Sequence, residues 1–118
     1  MTFTVNADTT PVYTANLVDE AGVAVSAAML TTLTITVFNA RTRAVVNSRD
    51  RQNALNANNV TVSAGGVLTW SIQAADLAIT AGDADSDLLV CFEWTWNAGA
   101  KKNWHKFTLR AEATPRPT

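Results

Sequence analysis

The feature that most constrains this chain is alternation. Across residues 33–38, 67–73 and 87–97, every second side chain is a large apolar one, with polar residues at most of the positions between. A strand can bury that pattern on one face, and a helix cannot. Leu33, Ile35 and Val37 point one way while Thr34 and Thr36 point the other, and Leu68, Trp70 and Ile72 repeat the arrangement after Gly65-Gly66. Residues 87–97 put Leu88, Val90, Phe92, Trp94 and Trp96 on one face and Cys91, Glu93 and Thr95 on the other, the mark of a central strand. The Asn97-Ala98-Gly99-Ala100 turn leads into residues 103–111, where His105, Phe107 and Leu109 alternate with Lys106, Thr108 and Arg110. A C-terminal hairpin is predicted. Weaker strands are read over 12–18, 44–48 and 59–63, making seven in all. Residues 26–30 and 73–79 break the pattern, and Ala74 to Ile79 suits one helical turn.

Seven short strands about ten residues apart, without β-α-β alternation, predict an all-β fold: a single antiparallel β-sandwich of immunoglobulin-like or jelly-roll type over residues 11–111. A chain of 118 residues, 47% apolar and 16% charged, can bury about two-thirds of its unfolded surface and needs no disulfide to do so. Trp70, Trp94 and Trp96 supply much of the bulk between the sheets, each burying on the order of 200 Å². Residues 1–10 read as an N-terminal arm and 112–118, ending Thr114-Pro115-Arg116-Pro117-Thr118, as an extended tail that cannot continue a ladder.

The formal net charge of −1 argues against nucleic acid as a partner, and no apolar run reaches membrane-spanning length. The first residues lack a charged and apolar leader, so a soluble product of the cytoplasm is expected. One cysteine, Cys91, and one histidine, His105, are a thin inventory for catalysis. Their strands are neighbours across the last hairpin, which raises a thiol and its base, but Cys91 has the parity opposite to the tryptophan face and reads better as packing filler. Asp83, Asp85 and Asp87 begin like a calcium loop, yet Leu88 stands where glycine is wanted and Trp94 where glutamate is wanted. The loop reads as a solvated acidic turn. No catalytic, cofactor-binding or metal residue is assigned.

Asp76, Asp83, Asp85, Asp87 and Glu93 fall together, whereas Arg41, Arg43, Arg49 and Arg51 form one basic group and Lys101, Lys102, Lys106 and Arg110 another. Acidic and basic ends are expected, either as solubilising surface or for docking. By alternation Trp104 shares the polar face with Lys106, Thr108 and Arg110, unless a bulge near Asn103 turns it inward. Trp104, Arg41, Arg43, Lys101 and Lys102 are the candidate partner-binding residues.

Leu17 to Gly22, Leu33 to Thr36, Asn47 to Asp50, Leu55 to Val62 and Gly66 to Trp70 together give the chain a style that resembles small virion proteins of tailed bacteriophages. Ala75 to Ile79, Phe92 to Trp96, Lys101-Lys102 and His105 to Phe107 extend the resemblance. It implies a β-sandwich without a cofactor that decorates or cements the icosahedral head, or sits at the neck or tail, within a virion assembled in the host cytoplasm. The implied partners are the major capsid protein or other virion proteins, with self-association on the particle. Strand addition by the two terminal segments to a neighbour's sheet edge is a further expectation. The competing class is an immunoglobulin-like module that binds a host-surface glycan or protein through Trp104.

Overall fold

A computed structural model describes residues 1–7, 9–79, 83 and 85–113 of the chain. Eight strands form two packed sheets: β1 (Thr2–Asn6), β2 (Val12–Asn16), β3 (Leu30–Asn39), β4 (Gln52–Asn53), β5 (Val60–Val62), β6 (Val67–Ser71), β7 (Asp85–Trp96) and β8 (Lys101–Glu112). One sheet runs β1-β8-β7-β3-β4 and the other β2-β6-β5. This is the strand order of an immunoglobulin-like sandwich, with β2, β6 and β5 facing a sheet centred on β3, β7 and β8. The two helical interruptions are single 3₁₀ turns, Ala27–Met29 and Ala74–Leu77. Among the described residues no helix is long and apolar enough to cross a membrane.

The alternating segments become the sheet interior. Leu33, Ile35 and Val37 from β3, Leu88 to Trp96 at every second position of β7, and Phe107, Leu109 and Ala111 from β8 are all buried. They pack against Tyr13, Leu68 and Trp70 from the smaller sheet and against Leu17 and Ile72, which directly follow β2 and β6. Trp70 meets the edge of Phe92 at 5.7 Å between centroids, and Tyr13 stacks on Phe107 at 4.1 Å, so aromatic rings join the two layers. The β7–β8 hairpin is the longest ladder, running in unbroken register from Asp85 opposite Glu112 to Trp96 opposite Lys101.

Three expectations need correcting. Residues 1–10 are not an arm free of the sandwich: Phe3 and Val5 alternate with threonines, and β1 pairs in parallel with β8 from Thr2 opposite Thr108 to Asn6 opposite Glu112. Glu112 likewise belongs to β8, while residues 114–118 of the expected tail lie outside the described residues. The strand read over 44–48 is reduced to one bridge, Val45 to Phe38, because Arg43, Asn47 and Ser48 have positive φ and break the extended run. The strand that pairs with β3 comes later, at Gln52–Asn53.

Asparagine does much of the loop work. Asn56, Asn58, Asn59 and Asn97 adopt positive φ, a region that asparagine tolerates better than most residues, and the Asn56 carboxamide accepts from the Val62 amide at 2.9 Å. Gly66 is required for a different reason. At φ +84° a Cβ there would lie 2.4 Å from the Val25 carbonyl oxygen.

Candidate functional face

The outer side of the five-stranded sheet collects the side chains whose parity is opposite to the core. Register places Thr36, Cys91 and Lys106 in one row across β3, β7 and β8, and Phe38, Leu89 and Thr108 in the next. Phe38, Leu89 and Cys91 are half-buried, and they floor two adjoining depressions of about 410 and 450 Å³. Arg43, Arg51 and Lys106 stand around that floor, with the Arg43 guanidinium carbon 5.7 Å from the Phe38 ring centroid. Trp104 lies on the same side, opposite Glu93, and is 55% exposed. The ladder has no bulge near Asn103, so alternation carries the ring outward.

The charges do not separate into acidic and basic ends, because each acid of the expected acidic group meets a base across the sheet or loops. Asp83 pairs with Arg41 at 2.7 Å, Glu93 with Lys102 at 2.9 Å, and Asp85 and Asp87 with Arg110 at 2.8 and 3.5 Å. Lys101 reaches Glu20 at 3.7 Å. Asp76 and Arg49 form a buried pair. Arg49 also donates to the Gln52 side chain, the Asn58 carbonyl and the Asn59 side chain, while Asp76 accepts from the Gln73 amide and the Asn47 carboxamide. Neither residue belongs to the surface, so the basic group around residue 41 loses Arg49. Among the described residues the cationic side chains without an ion pair are Arg43, Arg51 and Lys106, which all stand around one floor.

The five candidate partner-binding residues therefore divide. Trp104, Arg43 and Lys102 share the outer face, whereas Lys101 lies at the hairpin end beside Met29 and Trp96, and Arg41 lies at the opposite end with Asp83. Phe38, Leu89, Arg51 and Lys106 complete the face and were absent from the candidate set. The signal that marks two of them is parity: Phe38 follows Thr34 and Thr36, and Leu89 precedes Cys91 and Glu93, so both are large apolar groups on a polar side.

Cys91 and His105 are not brought together. Cys91 stands opposite Lys106, and His105 opposite Phe92, so the two side chains leave opposite sides of the sheet. Burial pushes the Cys91 thiol up and Glu93 adds to this, outweighing Lys106, Lys102 and Arg51, which makes it a poor nucleophile. His105 Nε2 lies 2.6 Å from the Tyr13 hydroxyl, in a bond that links the two sheets, and burial holds its pKa below the usual histidine value. Among the described residues no three His, Cys, Asp or Glu side chains are arranged to hold a metal ion.

Comparison with protein-family models, with curated proteins and with solved structures finds no match to this chain.

Proposed function

We propose that this chain is a non-enzymatic structural component of a bacteriophage virion, a capsid cement or decoration protein that stabilises the head shell by docking on it. One observation carries the reading: Phe38, Leu89 and Trp104 are apolar groups on the outer sheet face, where Trp104 is exposed and Phe38 and Leu89 are only half-buried. Apolar groups on an open face, rimmed by charge, suit a surface that is covered on assembly. A contact of roughly 800 Å² per partner, repeated over a shell, resists internal pressure without any single strong bond. The resemblance to small virion proteins supplies the partner, the major capsid protein or another virion protein.

The test is cosedimentation of the purified chain with empty capsids of the phage that encodes it, read as copies per particle. Saturation at hundreds of copies is expected. A dozen or fewer would move the chain to the neck or tail, and no binding would overturn the assembly reading. The exposure of Trp104 beside Glu93 and Lys102 favours a second reading, a module that stacks its indole on a host-surface sugar. Glycan binding by the isolated chain, lost in Trp104→Ala, would establish it.

A further inference from the structure

We infer that the outer face of the five-stranded sheet takes an extended acidic segment of a partner protein, with a large apolar side chain seated over Phe38, Leu89 and Cys91 and carboxylates on Arg43, Arg51 and Lys106. This deepens the assembly reading and rests on it. Among the described residues every cationic side chain on or beside this sheet except these three already has a carboxylate, which leaves three unmatched cationic side chains around one floor. An incoming carboxylate would meet an exposed guanidinium or ammonium at the rim of the half-buried floor, in a charge-assisted hydrogen bond. The floor is half-buried in the free chain, so a Phe or Leu side chain can complete its burial.

A continuous phosphate backbone fits this face less well. Asp50 lines the same depression and Glu93 flanks it, and the floor is leucine, thiol and one phenyl ring already covered by Arg43, not a row of free aromatic platforms. A protein segment can place its acids over the three cations and keep them away from Asp50 and Glu93.

The probe is an acetylated hexapeptide, Asp-Glu-Phe-Asp-Leu-Glu amide, titrated into the full chain and followed by backbone amide shifts, beside a peptide with lysine at each acidic position and a thymidine dodecamer. Shifts confined to residues 36–38, 43–51, 89–91 and 106–108 are expected for the acidic peptide alone. The Kd is expected to rise about tenfold in Arg43→Glu/Lys106→Glu, and to remain within about twofold in Lys106→Arg. Equal binding of the lysine peptide, tighter binding of the dodecamer on this face, or shifts elsewhere would overturn the inference. The same variants are taken into capsid cosedimentation. If wild type and Arg43→Glu/Lys106→Glu bind capsids equally, the inference fails and the assembly reading stands. If wild type binds no capsid while the acidic peptide still maps to this face, the assembly reading fails and the preference for acidic segments stands.

Discussion

Arg49 and Asp76 meet in a two-pronged pair, Nε to Oδ1 at 2.5 Å and Nη2 to Oδ2 at 3.1 Å, with both side chains almost wholly removed from water. The guanidinium also lies 5.8 Å from the Trp70 ring centroid, so the pair joins the loop before β4, the 3₁₀ turn after β6 and the core tryptophan. Removing one charge strands the other without solvent. Arg49→Ala is expected to lower stability by about 3–5 kcal/mol, whereas Arg41→Ala, which breaks the solvated pair with Asp83, costs less than about 1 kcal/mol. Urea unfolding of both variants decides this; equal losses would mean that the buried pair is not a fold-determining link.

The two core tryptophans differ in what their indoles do. Trp94 Nε1 donates to the Val18 carbonyl at 3.1 Å, while Trp70 Nε1 is buried with no hydrogen-bond partner among the described residues. Both lose similar volume on truncation to phenylalanine. Trp94→Phe is therefore expected to be less stable than Trp70→Phe by about 1 kcal/mol, since only the first gives up a bond. Thermal melts of the pair would show the order, and a reversed order would reveal a partner for the Trp70 indole.

Gly66 and Gly99 have similar positive φ, +84° and +86°, but only at Gly66 would a Cβ strike backbone. Gly99→Ala is expected to cost about 1 kcal/mol for the left-handed conformation alone. Gly66→Ala adds an overpacking cost of about 1–3 kcal/mol, because the Val25 carbonyl must move. Denaturation midpoints that fall by the same amount would refute the steric account.

His105 makes stability depend on pH. Its folded pKa lies below the unfolded value of about 6.5, so between the two the unfolded chain holds a proton that the folded chain does not. Stability then rises with pH through that window and is lost as pH falls below about 6.5. His105→Gln should flatten the slope of urea midpoint against pH between about pH 5 and 7. An unchanged slope would place the titration elsewhere.

Cys91 is expected to react with iodoacetamide several-fold more slowly in the folded chain than in urea at neutral pH, since burial and Glu93 both oppose the thiolate. Glu93→Gln should speed the folded reaction. Mass spectrometry of timed quenches gives both rates, and a folded rate equal to the unfolded one would contradict the burial argument.

The β7–β8 hairpin was legible because an apolar residue at every second position from Leu88 to Trp96 leaves one register that buries Phe92, Trp94 and Leu109 together. β1 was less so. Thr2 to Asn6 carries the same alternation, but it is short and its partner lies more than a hundred residues away in parallel, which no local turn announces. Asn47 and Ser48 hinted at the break in the region of 44–48, yet Val45-Val46 beside them read as strand. The Arg49–Asp76 pair was invisible for a plainer reason: the residues are 27 apart, and a charged side chain reads as surface until the fold shows what it meets. Of the candidate face, Trp104 was read from parity, and Phe38 and Leu89 carried the same signal.

The two-residue strand β4 has a consequence for how copies of this molecule can be stacked. A fibre grows by backbone hydrogen bonds from margin to margin, and this margin offers Gln52 and Asn53 before Leu55 turns away on the Asn53 carboxamide. One flank of the sheet thus gives almost no template for ribbon growth. Copies cannot zip together through this flank, which leaves side-chain contacts to decide how neighbours meet along it.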